Sequence, residues 1–360
     1  MRIGIDARMI DHPGIGRYIS CLVPELIKQS PKDEFVLFGN RDKLSLLNVV
    51  DQGNIVSWDA PIYSIQEQLF PRDCMSNVDI VHVPHFNVPL LCGKKMVVTI
   101  HDLIYLLFPK SVSFPLARHY AEFMIRSALK KSEKVITVSQ CTKDDLLKIF
   151  GDQYASKIDV VHEASGNSFR KVEDKTRIAD VKCRYRLGDN IILYVGSVKP
   201  HKNTETLIKV FEQLKRWGAT HQLVICGRWD KKEDRLKKMM SDPDIKYIGE
   251  VPQEDLVVLY SMAEVLVHLS LYEGFGLTVL EAMSCGLPVV VSNTSSLPEV
   301  AGKSAFVVDP HDVEQVADTV YNILVSKHLA EGMIETGYEH VKQFSWEKTA
   351  RETLEVYHSI

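Results

Sequence analysis

Cysteine is sparse and unpatterned in this chain: the seven residues, at positions 21, 74, 92, 141, 183, 226 and 285, are odd in number and include no Cys-x-x-Cys pair. A disulfide framework and a cysteine-based zinc site are therefore not expected, and reduced, buried thiols are. Long apolar runs are also missing. No stretch reaches the roughly 18 uncharged apolar residues of a membrane span, and the N-terminus meets Asp6 too early to hold a signal-peptide core. Cytoplasmic placement is the expectation. Excess positive charge is absent too, since 43 Lys and Arg face 47 Asp and Glu for a formal charge of -4, which offers nucleic acid no global attraction. No Walker loop is present, no Asp-x-Asp element lies in a loop suited to a metal, and no low-complexity tract or short-period repeat interrupts the chain. The expectation is a protein that requires no metal and no cofactor.

What is present is a rhythm. At 360 residues, with 45% hydrophobic and 25% charged content, the chain suits two soluble domains. Short β-branched runs alternate with amphipathic helical stretches, the pattern of doubly wound α/β domains with parallel sheets. The predicted strands of the first domain are Arg2–Asp6, Glu34–Phe38, Ile80–Val83, Lys95–Ile100, Lys134–Val138 and Ile158–Val161. A polar stretch from Arg170 to Asp180 then reads as the domain connection and hinge, leading into a short helix. Strands resume at Ile191–Val195, His221–Cys226, Ile245–Ile248, Val265–Leu269, Pro288–Val291 and Ala305–Val308. The predicted division is residues 1–169 and 170–344, followed by a helix that Ser345 caps with half a capping box, because its third position is Lys348.

Ligands of such sheets sit beyond the carboxyl ends of the strands, so the loops after strands matter most. Asp11-His-Pro-Gly-Ile-Gly-Arg-Tyr18 places two glycines at a helix start, where bare amides can meet an anion or a sugar, or simply form a turn. Ile19 stands where a dinucleotide fingerprint needs its third glycine. His101 and Asp102 end an apolar strand, and the imidazole there either bonds a ligand hydroxyl or serves structure. Val195-Gly-Ser-Val-Lys-Pro-His-Lys-Asn203 sets Lys199 and Lys202 beside a helix start, able to neutralise a diphosphate or to remain a solvated pair. In Leu271–Pro288, a glycine loop opens into a helix predicted over Leu277–Ser284, an anion cradle flanked by Glu273 and Glu281. Carboxylates accept paired hydrogen bonds from vicinal diols, so one can take sugar hydroxyls and the other a ribose.

Together these segments resemble the retaining glycosyltransferases of family 4, with the GT-B fold, and in particular their mannosyltransferase-like members. The resemblance covers nearly the whole chain and is carried by Gly14-Ile-Gly-Arg-Tyr18, Thr99-Ile-His-Asp102, Val138-Ser-Gln-Cys-Thr-Lys-Asp-Asp145, Gly196–Asn203, the Glu273-x7-Glu281 element, Gly286-Leu-Pro-Val-Val, and Leu297-Pro-Glu-Val300. It implies two Rossmann-like domains facing a cleft, with the helix at 345–360 packing back on the first. It implies that Gly16 presents its amide to donor phosphate or acceptor, that His101 bonds the donor sugar and helps stabilise the transition state, and that Lys202 holds the diphosphate. Glu273 would orient the transferred sugar, the amides of Gly274, Phe275, Gly276, Leu277 and Thr278 would meet sugar and phosphate, Glu281 would grip the ribose, and Val251 would lie along the base. Many relatives carry arginine where this chain has Ser197, so Lys199 or Arg228 is expected to supply the missing charge. Arg17 and Tyr105 fall on the acceptor side, with the loops Tyr105–Ser113 and Pro84–Pro89.

The implied activity is retaining, metal-independent transfer of a hexose, with mannose from GDP-mannose as the leading donor and a glycan or lipid-linked saccharide as acceptor, in polysaccharide or lipopolysaccharide biosynthesis. A UDP-sugar donor stays open. So do an epimerase or phosphorylase of the same fold and a sugar-nucleotide-binding protein without turnover. The basic segment Arg118, His119, Arg126, Lys130 and Lys131 is either a peripheral contact with anionic lipid at the inner membrane face or a solvated helix face.

Overall fold

The structure, a computed structural model, describes residues 1–47, 49, 54–68, 77–111 and 116–360. Cys74 and the end of the loop Tyr105–Ser113 lie outside the described residues. The chain forms two compact units, Met1–Glu163 together with Ser345–Ile360, and Ala164–Phe344.

Among the described residues the first unit holds a parallel sheet in the order β3-β2-β1-β4-β5-β6-β7. Its strands are β1 (Arg2–Asp6), β2 (Glu34–Gly39), β3 (Ile55–Ser57), β4 (Ile80–Val83), β5 (Lys95–Ile100), β6 (Lys134–Thr137) and β7 (Ile158–Val160). β4 and nearly all of β5 are buried, which is why these strands read as continuous apolar runs instead of alternating ones. β3 adds to the expected strands: it is three residues long and sits at the sheet edge, too short to carry a periodic signal.

The helix Ile15–Gln29 buries Tyr18, Ile19, Leu22, Val23 and Leu26. The final helix, Trp346–His358, belongs to this same unit. Ser345 caps it by accepting the Lys348 amide at 3.1 Å. Gln29 donates to the Glu347 carbonyl at 2.8 Å, and the Tyr357 hydroxyl lies 2.6 Å from Nδ1 of the buried His82.

The second unit is a six-stranded sheet in the order β10-β9-β8-β11-β12-β13. Its strands are β8 (Ile191–Val195), β9 (Gln222–Cys226), β10 (Ile245–Gly249), β11 (Val265–His268), β12 (Val289–Ser292) and β13 (Phe306–Val308). Ile191, Leu193 and Val195 enter one core, Ile192 and Tyr194 the other, so β8 is apolar on both faces.

The connection differs from the sequence expectation. The division falls at Glu163/Ala164, ahead of residue 170, because Ser165 bonds Ser284 at 2.9 Å and Phe169 is buried in the second unit's core. Arg170–Asp180 is likewise part of that unit. Val172 packs on its core and donates its amide to Ser261 at 2.9 Å, and Asp174 caps the helix Lys175–Tyr185, leaving the charged residues of this segment at the surface.

In each sheet the strand order reverses, beside β1 and β4 in the first and beside β8 and β11 in the second. Such a switch point leaves a crevice at the carboxyl ends of the two central strands.

Candidate functional site

In the second unit both switch-point loops carry motif residues. After β8, the Gly196 amide donates to the Cys226 carbonyl at 2.9 Å and the Val198 amide to the Arg228 carbonyl at 2.8 Å, zipping this loop to the one after β9. A Cβ on Gly227 would stand 2.2 Å from the Gly196 carbonyl oxygen, so only glycine permits that approach. The backbone of Ser197 and Val198 is thus set beside Arg228, whose side chain is exposed, while Lys199 and Val251 are half-buried. The Ser197 carbonyl accepts from the Tyr194 hydroxyl at 3.1 Å. Pro200–Lys202 form a single turn that ends on Asn203 in the left-handed region at φ 55°, and the helix Thr204–Arg216 follows.

The loop after β11 is tied to this turn by the Leu271 amide, which donates to the His201 carbonyl at 2.8 Å. It ends at Gly276, with φ 110°, and the helix Leu277–Ser284 starts where the sequence predicts. Ser295 accepts the Glu273 amide at 3.1 Å, and Ser295 and Ser296 both donate to its carbonyl, so the backbone of Glu273 is fixed on both sides. Its side chain points at the β8 loop. Glu273 Oε1 accepts from Lys202 Nζ at 2.5 Å and from His268 Nε2 at 2.8 Å.

Burial opposes ionisation of Glu273, but the Lys202 ammonium and the His268 hydrogen bond together hold its carboxyl well below the usual value of 4.5. Burial first, and then the neighbouring Lys202 charge, pushes the adjacent His201 down to about 3. Glu281 is buried in the helix and accepts the Tyr260 hydroxyl at 2.9 Å. Phe275 is buried, whereas Gly274, Gly276, Leu277 and Thr278 are half-buried around the helix start. The structure therefore brings Lys202 and Glu273 into direct contact and adds His268. In the sequence His268 reads as one more strand residue; it ends β11, and its ring meets Glu273 five positions on, in the loop that follows the strand.

In the first unit, His101 follows β5. Its Nε2 lies 3.1 Å from the Pro84 carbonyl and its Nδ1 3.1 Å from Glu163 Oε1, while the Tyr18 ring meets it edge-on at 4.9 Å. Both ring nitrogens are thus engaged by protein oxygens. Glu163 is a second residue that the sequence did not single out, 62 positions from its partner. Gly16 has a different local role from the one expected of its amide, which here donates to the His12 carbonyl at 2.7 Å. A Cβ at Gly16 would lie 2.1 Å from the Ile10 carbonyl oxygen, so the loop's close packing requires glycine. Arg17 is half-buried and its carbonyl accepts from Ser20 at 3.1 Å. Tyr105 joins an aromatic group, with its hydroxyl 3.3 Å from that of Tyr63 and its ring edge-on to Phe86 at 5.6 Å. The basic helix Ala117–Lys131 directs Arg126 to Glu122 at 3.3 Å and Lys131 to the Leu90 carbonyl at 2.6 Å.

Among the described residues no helix is long and apolar enough to cross a membrane, and no three His, Cys, Asp or Glu group as a metal site would need.

The chain matches two family models, Glycosyltransferase Family 4 over residues 14–164 and Glycosyl transferases group 1 over residues 179–340. It is 31% identical over 284 residues to O-antigen chain mannosyltransferase B of Escherichia coli, spanning 77% of this chain and 74% of that one. It is also 31% identical over 253 residues to the O-antigen chain mannosyltransferase RfbU of Salmonella typhimurium, spanning 69% and 65%. Among solved structures, HepE of Anabaena in complex with UDP-glucose is similar over the full length of both chains, with a TM-score of 0.79 at 16% identity. Two doubly wound units with their motif loops at the carboxyl ends of strands, matched family models along both units and relatives of this closeness make the chain a GT-B glycosyltransferase of family 4.

Proposed function

We propose that this glycosyltransferase moves mannose from GDP-mannose onto a saccharide hydroxyl of a growing polysaccharide, retaining the anomeric configuration and needing no metal. The observation that carries the reading is the largely buried Lys202–Glu273 pair at the switch point of the second unit. A cation for a diphosphate and a carboxylate for sugar hydroxyls stand there side by side, next to a helix start. Glu281 takes the ribose, and Ser197, Lys199, Arg228, Val251 and the stretch Gly274–Thr278 complete the donor site. His101 acts on the transferred sugar, and Arg17 and Tyr105 on the acceptor. The mannosyltransferase relatives favour the sugar.

In the proposed reaction the bond from the anomeric carbon to the diphosphate oxygen breaks, and Lys202, Lys199 and the helix amides stabilise the departing charge. The acceptor oxygen bonds the anomeric carbon from the same face, and its proton passes to the departing phosphate oxygen. The decisive experiment is a donor panel of GDP-mannose, UDP-glucose, UDP-N-acetylglucosamine and UDP-galactose read by released nucleotide. Release of GDP with transfer of mannose is expected. HepE, solved with UDP-glucose, favours the second reading, a UDP-sugar donor; release of UDP alone would replace GDP-mannose with it. Donor binding without transfer or slow hydrolysis would favour a non-catalytic protein. Turnover should persist in EDTA, and activity lost to EDTA and restored by manganese would overturn metal independence.

A further inference from the structure

We infer that His268 is a positioning residue for Glu273: it is the fixed partner that keeps this carboxylate oriented and ionised when Lys202 leaves it for the donor's diphosphate. The inference rests on the donor-site reading above and deepens it. Glu273 Oε1 accepts two hydrogen bonds, from Lys202 at 2.5 Å and from His268 at 2.8 Å. The two partners differ in freedom. Lys202 sits on a one-turn loop with a flexible four-carbon stem. His268 is the last residue of β11, 1% exposed, with its ring stacked on Tyr194 at a 6.0 Å centroid separation and 15° interplanar angle.

Its tautomer follows from its surroundings. Nε2 faces the carboxylate, with Ser270 Oγ also 3.2 Å away, whereas the buried Nδ1 has no hydrogen-bond partner among the described residues. The proton therefore sits on Nε2, donated to Glu273, and Nδ1 keeps its lone pair. A diphosphate that draws Lys202 away removes the counter-ion from a buried carboxylate, and without another donor that group takes up a proton. The ionisable groups around Glu273 are Lys202 and His201 from the β8 loop, Tyr194 from β8 and His268 from β11. Once Lys202 turns away, His268 is the one that still donates to the carboxylate.

The test compares His268→Leu with His268→Gln, whose amide restores a donor. Transfer kinetics across pH should show His268→Leu lowering kcat roughly ten- to a hundredfold, with donor KM changed far less and the acid limb moved to higher pH. His268→Gln should recover most of kcat and return the acid limb toward that of the wild type. Equal losses in both variants with an unmoved acid limb would reduce His268 to a packing residue. A donor-independent readout separates this inference from the donor assignment. Infrared spectroscopy of protein labelled with 13C-glutamate at pH 6 should show Glu273 ionised in Lys202→Met and protonated in Lys202→Met/His268→Leu, with Glu273→Gln identifying the band. An ionised carboxylate in the double variant overturns the inference, whatever donor the enzyme proves to use.

Discussion

Replacing Lys202 with methionine keeps the length of the stem and removes the ammonium from beside Glu273. Both side chains are mostly buried, 16% and 13% exposed, so the pair is not a surface bridge of negligible worth. Breaking a fully buried pair from one side costs about 3 to 5 kcal/mol. Here His268 still donates to the same carboxylate oxygen, which lowers the expected loss to about 2 kcal/mol. In a unit of roughly 180 residues that is a drop of about 4 to 8 °C in its melting transition.

The loss should depend on pH. Glu273 is held below its ordinary value of 4.5, so the stability it contributes is fully present above that pH and disappears as pH falls through the depressed folded value. In Lys202→Met the folded carboxyl titrates higher, so the gap between wild type and variant should be widest near neutrality and close on acidification. Calorimetry at a series of pH values from 7.5 to 4 reads both effects. Adding Glu273→Gln to Lys202→Met should restore about 1 kcal/mol or more, since the uncompensated charge is then gone. A neutral-pH gap below about 0.5 kcal/mol, or one that stays constant with pH, would refute the buried-pair reasoning.

Gly16→Ala should destabilise the first unit by about 2 kcal/mol, because its Cβ would press on the Ile10 backbone carbonyl and not on a side chain that can swing aside; thermal unfolding measures this. Tyr357→Phe leaves His82 Nδ1 without its 2.6 Å partner in a buried setting, and should cost about 1 to 2 kcal/mol, with faster amide exchange in Trp346–His358. Burial pushes His82 down to about 3, so the unfolded chain binds the extra proton first and stability falls as pH drops from 6.5 toward 3, a trend that His82→Gln should flatten in acid-unfolding curves. Glu281→Gln should chiefly weaken donor binding, whereas His101→Ala should chiefly lower kcat; the reverse pattern in steady-state kinetics would exchange the two proposed roles.

Much of the fold was legible because buried parallel strands announce themselves: a run such as Ile191–Val195 has no polar alternation to confuse it, and the helix start after Gly276 is marked by glycine with a positive φ. β3 was invisible, since three edge residues offer no period. The polar stretch after Phe169 misled because composition reports solvent exposure and not which core Phe169 and Val172 join. At the site, residue types were readable but pairings were not. Lys202 and Glu273 are 71 positions apart, and a contact of that kind is set by strand order, which a one-dimensional pattern does not contain. Glu163 was hidden by the same separation, since its partner His101 lies 62 positions away, whereas His268 was hidden inside an apolar strand although its partner Glu273 is only five positions on.

The placement of the helix Trp346–His358 in the first unit has a consequence for biosynthesis and for engineering. Tyr357 closes on His82 across 275 positions of chain, so the first unit lacks one of its own layers until the whole second unit has been translated. Its nascent form must hold the apolar face of Ile15–Gln29 uncovered during that interval, a window in which a chaperone or aggregation competes with completion. A chimera that exchanges donor specificity with another enzyme therefore needs two splice points, at Glu163/Ala164 and at Phe344/Ser345, because a single crossover would pair this first unit with a foreign closing helix.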